Sequence, residues 1–209
     1  DGSLPLTANG PLFTNPNWYR TLQEIKRDDR RLRLLSNAFL EYEVLERLAL
    51  KTAINVELGQ TQINFFSPST AGAIGAAPPQ KARGDVSNNN FYSWMSENTA
   101  TYKRNIGDHE FDVLAGFTVQ QFRNQGAEFA KTDYPDDRVP TLNAASTFVS
   151  GGTGVDEWSL VSYLARLNYN FKGRYLLSAA FRRDGSSRFG SNNKWGNFPS
   201  VSAGWILSD

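Results

Sequence analysis

The feature that most constrains this chain is an alternation of apolar and polar residues that is sustained, interrupted and resumed along most of its length. From Leu32 every second residue reads Leu32, Leu34, Ser36, Ala38, Leu40, Tyr42 and Val44, with Arg33, Asn37, Glu41 and Glu43 between them. After a tight connection at Leu45–Arg47 the pattern returns as Leu48, Leu50, Thr52, Ile54, Val56 and Leu58 against Lys51, Asn55 and Glu57. Successive strand side chains point to opposite faces, so a period of two gives each strand one apolar and one polar face. The same pattern holds for Tyr92, Trp94, Ala100 and Tyr102, and then for Phe111, Val113, Ala115, Phe117 and Val119. It recurs in Val161–Phe171, in Tyr175, Leu177, Ala179 and Phe181, and in Val201, Ala203, Trp205 and Leu207. About seven strands are predicted, and no helix of useful length is needed.

The connections alternate in length. Leu45–Arg47, Asn105–Asp108 (NIGD) and Phe171–Arg174 (FKGR) are short, and two of them carry the Gly that tight turns favour. Long connections are predicted near residues 60–90, 122–157 and 184–197. Residues 1–30 read as a further long loop with at most a partial strand, and Lys26–Arg31 (KRDDRR) as its solvated end. All long connections therefore fall at one end of the sheet.

Alternation alone does not say which face meets water, because a soluble β-sandwich and a membrane barrel are inside-out copies of one pattern. Three features separate them. The predicted strands run to about 12–14 residues, whereas soluble strands cluster near 5–6 and a tilted spanning strand needs roughly 9–11. The asymmetry of long and short connections is that of outer-membrane barrels. Tyr42, Tyr102, Phe111, Tyr169, Phe171, Tyr175 and Trp205 gather near the short-turn end of the apolar face, as a girdle at the headgroup level would. The strand centres of that face carry no charge, and an Arg or Lys there would cost about 2–4 kcal/mol in a bilayer. The predicted fold is all-β: an antiparallel, up-and-down transmembrane β-barrel segment over residues 31–209. The opposite face mixes polar groups with Leu35, Phe39, Met95, Leu114, Leu164 and Leu176, which suggests that part of the interior packs against a plug.

The composition excludes several functions. A net charge of +1 with no basic patch gives no footprint for nucleic acid. The chain has no Cys and one His, His109, which reads as a solvated turn residue, so thiol, metal and His-based chemistry have no foundation. Asp184 with Arg188 and Asp136 with Asp137 are pairs that loops of this composition produce by chance. No enzyme activity and no cofactor are expected. The N-terminus is not a signal peptide and GWILSD ends in mid-strand, so the chain reads as a segment of something longer.

RYLLSAAFRRDGSSRFGSNNKWGNFPSVSAGWILSD, with NYNFKGRYLL, SENTATYKRNIGDHEFDVLAGFTVQ and NPNWY, closely resembles the barrel of TonB-dependent transporters of the SusC/RagA class, from about Asn15 onward. The resemblance implies import of oligosaccharides or peptides across the outer membrane of a Bacteroidetes-type Gram-negative bacterium. It implies a barrel of roughly 22 strands around an N-terminal plug that is absent from this sequence. TonB, reached through that plug, would supply the energy, and a SusD-like surface lipoprotein would cover the extracellular loops. Outer membrane lipid and lipopolysaccharide would surround the wall. Substrate contact needs aromatic platforms and planar hydrogen-bonding groups near the mouth, which makes Trp18, Tyr19, Arg188, Asn192, Asn193 and Trp195 candidates. Arg182, Asp184 and Arg188 are candidates for a network tying loop to wall, and Arg183 for a lipopolysaccharide phosphate. Arg33, Glu41, Lys51, Glu57, Glu97, Lys103, Asp112 and Arg166 are candidates to line the conduit or to bond to the plug. The alternatives are a passive porin or structural barrel, a soluble carbohydrate-binding β-sandwich and, within the favoured class, a siderophore or cobalamin importer.

Overall fold

A computed structural model of the chain describes residues 4–7, 15–72, 76–190 and 192–207. A short helix α1 (Trp18–Glu24) precedes β1 (Lys26–Leu45), β2 (Leu48–Ser67), β3 (Arg83–Ile106) and β4 (His109–Thr132). A 3-10 turn at Leu142–Ala144 leads to β5 (Thr147–Phe171), β6 (Tyr175–Ser186) and β7 (Trp195–Trp205). The strands form one antiparallel sheet in chain order, β1 to β7. This is the up-and-down arrangement the alternation predicts. Among the described residues no second sheet packs on it.

Register keeps the two faces apart. Tyr169, Leu177 and Ala203 stand in one row across β5, β6 and β7, followed by Leu167, Ala179 and Val201, then Ala165, Phe181 and Pro199. The interleaved rows are Asn168, Ser178 and Ser202, then Arg166, Ala180 and Ser200. A slip of one residue would exchange the faces entirely. The short turns need a left-handed residue each, supplied by Arg47 (φ 75°), Gly107 (φ 59°) and the pair Lys172 and Gly173 (φ 57° and 67°). Gly bears this conformation without steric cost.

The strands are longer than the alternation indicates. β1 to β5 run 20 to 25 residues, whereas β6 and β7 have 12 and 11. The long connections shrink accordingly to residues 68–82, 133–146 and 187–194. The added strand segments include GQTQ, SNNN and RNQG, which are polar on both faces; the backbone ladder continues there while the period-2 signal disappears. KRDDRR is likewise not a loop end but the start of β1, with Arg27–Asp29 (3.1 Å) and Arg30–Asp28 (2.9 Å) pairing along the strand. α1 is also absent from the sequence reading. Asn17 caps it through an Oδ1 that accepts from Arg20 N–H (3.4 Å), and Arg20 and Glu24 form an i, i+4 pair at 2.8 Å.

The chain divides into two units. The first comprises residues 1–33, 59–91 and 124–155, and the second residues 34–58, 92–123 and 156–209. The first has a small core: Pro16, Thr21, Phe66, Ala71, Ala82, Ala130 and Ala145 are buried. Phe66 meets Tyr134 edge-on with ring centroids 5.0 Å apart. Gly84 leaves room for the Tyr134 hydroxyl, and Gly72 for Pro16. Glu24 of α1 accepts from Thr70, Thr21 Oγ1 accepts from Gly72 N–H (3.4 Å), and Asp137 accepts from Ser69 N–H and Oγ–H (2.9 and 2.6 Å). Asp133 accepts from Lys81 (3.0 Å) and Thr147 (2.8 Å), and those hydrogen bonds hold its carboxyl below the ordinary range. Bonds from the Arg138 side chain and backbone bring Asp136 down to about 2.

In the second unit Ser162 is the one buried residue among those described. Leu40 (67%), Val201 (75%) and Trp205 (63%) stand exposed on its apolar face.

Candidate functional site

The site is built on the polar face of the second unit, at the end away from the short turns. Even-numbered residues of β5 and β6 share this face, as the pairs Ser162–Asp184 and Leu164–Arg182 show. Trp158 continues the same alternation, and Phe122 of β4 stacks on it with ring centroids 5.5 Å apart and planes inclined by 19°. Arg188, in the β6–β7 connection, lies 5.7 Å from the Trp158 ring and donates from Nη2 to Asp156 Oδ2 (2.7 Å). Two bonds zip that connection to β5: Ser187 N–H to Ser159 O (3.0 Å) and Ser159 N–H to Ser187 Oγ (2.8 Å). Along the wall, Arg182 donates from Nε to Asp184 (2.7 Å) and from Nη2 to Ser162 Oγ (3.3 Å).

The result is a half-buried aromatic pair beside one guanidinium group, that of Arg188, held by Asp156, with a second, that of Arg182, held by Asp184 further along the same face. Aromatic surface accepts apolar or sugar-ring faces, and guanidinium forks match planar oxygen pairs. An exposed ion pair such as Arg188–Asp156 is worth at most about 1 kcal/mol, so a ligand carboxylate can replace Asp156 at little cost.

The residues singled out from sequence are only partly brought together. Arg182 and Asp184 meet, but on the wall with Ser162, while Arg188 goes to Asp156 rather than joining them. Trp18 and Tyr19 are exposed on α1, in the first unit. Asn192 and Asn193 are exposed in the β6–β7 connection, where Asn193 N–H closes a turn onto Gly190 O (3.0 Å). Trp195 is on the other face. It opens β7 opposite Gly185, its ring lies 6.1 Å from that of Tyr163, and Arg183 sits 4.9 Å above it. Strand parity decides its side, and Gly185 makes room, since a Cβ there would come within 2.8 Å of the indole.

Trp158, Phe122 and Asp156 were not anticipated. The available signal was Trp158 at an even position in a run whose even positions are polar, at the edge of an expected loop. His109 is exposed at the start of β4 beside the Gly107 turn, where Nδ1 is 2.7 Å from the Tyr169 hydroxyl and the ring packs 4.7 Å from Phe171.

Toward the short turns the same polar face forms a cleft lined by Lys103, Glu110, Asp112, Asn168, Asn170 and Ser178. Asn170 donates to Glu110 (2.9 Å) and Ser178 to Asn168 (2.7 Å), while Asp112 Oδ1 and Asn170 Oδ1 are buried without a partner. Both are acceptors, so the cleft is prepared for donors. Among the described residues no group of His, Cys, Asp and Glu could hold a metal ion, and no helix is long and apolar enough to cross a membrane.

Comparison with known proteins adds the family. The model of the family described as "TonB dependent receptor-like, beta-barrel" matches residues 1–209. The chain is 32% identical over 174 residues to TonB-dependent receptor P39 of Formosa agariphila, covering 82% of this chain and 16% of that protein. It is 28% identical over 228 residues to TonB-dependent receptor SusC of Bacteroides thetaiotaomicron, covering 94% of this chain and 20% of SusC. Among solved structures, the RagAB peptide importer in its "open-open" state matches with a TM-score of 0.85 at 21% identity, over 97% of this chain and 22% of that one. The chain thus spans about a fifth of the length of these relatives.

Proposed function

Because this chain belongs to the family of TonB-dependent receptor-like β-barrels, we propose that it forms part of the wall and loops of an outer membrane importer of the SusC/RagA class. TonB-dependent receptors are transporters rather than enzymes. In this reading the second unit crosses the lipid with its apolar face outward. Residues 26–209 carry the wall strands, and residues 1–25 with the long connections lie on the extracellular side. The protein works with a SusD-like lipoprotein and draws energy from TonB through a plug supplied by the rest of the protein. Likeness to SusC and to the RagAB importers supports this class and a Bacteroidetes-type outer membrane. The single observation that carries the reading is an apolar face with Leu40, Val201 and Trp205 exposed and no layer over it among the described residues. Water does not tolerate a contiguous apolar surface of that kind, and lipid does.

The substrate is an oligosaccharide or a peptide that slides over Trp158 and Phe122. The guanidinium groups of Arg188 and Arg182 favour one bearing carboxylates. Orientation is tested with Ser187→Cys and Glu46→Cys in the full-length protein from which any other cysteines have been removed. On intact cells a bulky thiol reagent labels position 187 and spares 46; equal labelling in a soluble fraction overturns the reading. Uptake that persists in cells lacking TonB identifies a passive porin instead.

A further inference from the structure

Arg183 is the one cation that β6 places on the apolar face. The rows on its short-turn side are Ala165, Phe181 and Pro199, then Leu167, Ala179 and Val201. Directly across from it stand Tyr163 and Asn197, and the next row adds Trp195, whose ring the guanidinium overlies at 4.9 Å. No carboxylate pairs with Arg183 among the described residues. Glu157, an acid further along this face, is already engaged by Gln121 (3.0 Å) and Arg123 (3.6 Å).

We propose that the row Tyr163–Arg183–Asn197, backed by Trp195, binds a phosphate on the headgroup of lipid A in the outer leaflet. The proposal rests on the reading that this face meets lipid. An Arg on such a face is costly at mid-bilayer and nearly free at the interface, where Trp and Tyr also concentrate. The row therefore marks the headgroup level. A guanidinium is suited to a phosphate because it presents two parallel donors. Its cation–π contact with Trp195 orients it before the lipid arrives. The phenol and the amide flank it on neighbouring strands, so the three donors span about 10 Å. That width fits a phosphorylated sugar, whose ring hydroxyls take the outer donors.

The test uses the full-length protein purified from outer membranes in detergent, with lipid retention read by native mass spectrometry. Diphosphoryl lipid A, its dephosphorylated form and phosphatidylglycerol are the probes. R183Q is expected to lower diphosphoryl lipid A retention about tenfold, the loss that a charge-assisted bond supplies. N197L should lower it less, and R166Q, on the opposite face, should leave it unchanged. Equal retention by R183Q, or equal retention of dephosphorylated lipid A, overturns phosphate recognition. Phosphatidylglycerol held as tightly, with the same dependence on Arg183, overturns the commitment to lipid A. A spin label at Val201→Cys separates the two readings. Oxygen access exceeding that of a nickel chelate keeps the lipid-facing wall even when R183Q has no effect. The reverse result removes the wall and the lipid site together.

Discussion

The two units of this chain share five strands yet solve opposite problems. The first buries Phe66, Ala71, Ala82, Ala130 and Ala145 among α1, the long connections and the strand ends that carry them. Among its described residues the second buries Ser162 alone and leaves large apolar side chains such as Leu40, Val201 and Trp205 exposed. One has an interior of its own. The other is a ladder of backbone hydrogen bonds whose apolar face is left open among the described residues, the face that the proposed reading turns to lipid. A stability argument that suits one fails for the other, because burial counts only in the first.

The contrast can be broken most directly in the first unit's core. Phe66→Ala removes the ring that Tyr134 packs against, at a cost of about 3–5 kcal/mol. Hydrogen exchange in the full-length protein should then rise across residues 59–91 and 124–146 while the second unit keeps its protection. Uniform loss throughout would show that the two units are energetically one. Next in size is Val201→Arg, which puts a charge into the centre of the exposed apolar face and should cost about 2–4 kcal/mol in lipid vesicles. Gln60→Arg, at an exposed position of the first unit, should stay within about 0.5 kcal/mol. Comparable effects of the two, measured by urea unfolding, would remove the distinction of solvents.

Trp158→Ala should lower transport of a saturable substrate about three- to tenfold at unchanged surface expression, the scale of one aromatic contact. Trp195→Ala should leave transport unaltered, since its ring lies on the other face. The smallest effect concerns pH. Hydrogen bonds depress the Asp133 and Asp136 carboxyls, Asp136 to about 2, so their stabilisation is complete above the ordinary carboxylate range. It is lost only as pH falls through the depressed values. Exchange protection of residues 133–146 should hold down to about pH 4 and decline toward 2. A decline centred at pH 5 would contradict the assignment.

The legibility of the sequence follows the same division. Wherever lipid is the expected solvent, one face must be apolar and the other need not be. The alternation then names the strands, their faces and the turns at Gly107 and Gly173 without ambiguity. In the first unit SNNN and GQTQ are polar at every position, so they read as loops although their backbones stay in the ladder. α1 was hidden for a related reason: seven residues are too few for a helical period to stand out. Trp195 was misplaced because composition located it near the mouth, whereas its side is set by the pairing with Gly185. Trp158 was missed because a single aromatic on a polar face carries no periodic signal.

The step in strand length has a consequence for assembly. β5 pairs with β6 only as far as Leu160, so the side of Thr147–Val155 turned away from β4 has no β6 strand opposite it. An antiparallel edge offers its unpaired N–H and C=O groups at alternate residues, and here the segment is rich in Gly and slender. Such an edge is a backbone template. A polypeptide laid along it would be held by main-chain geometry, with side-chain identity of little account.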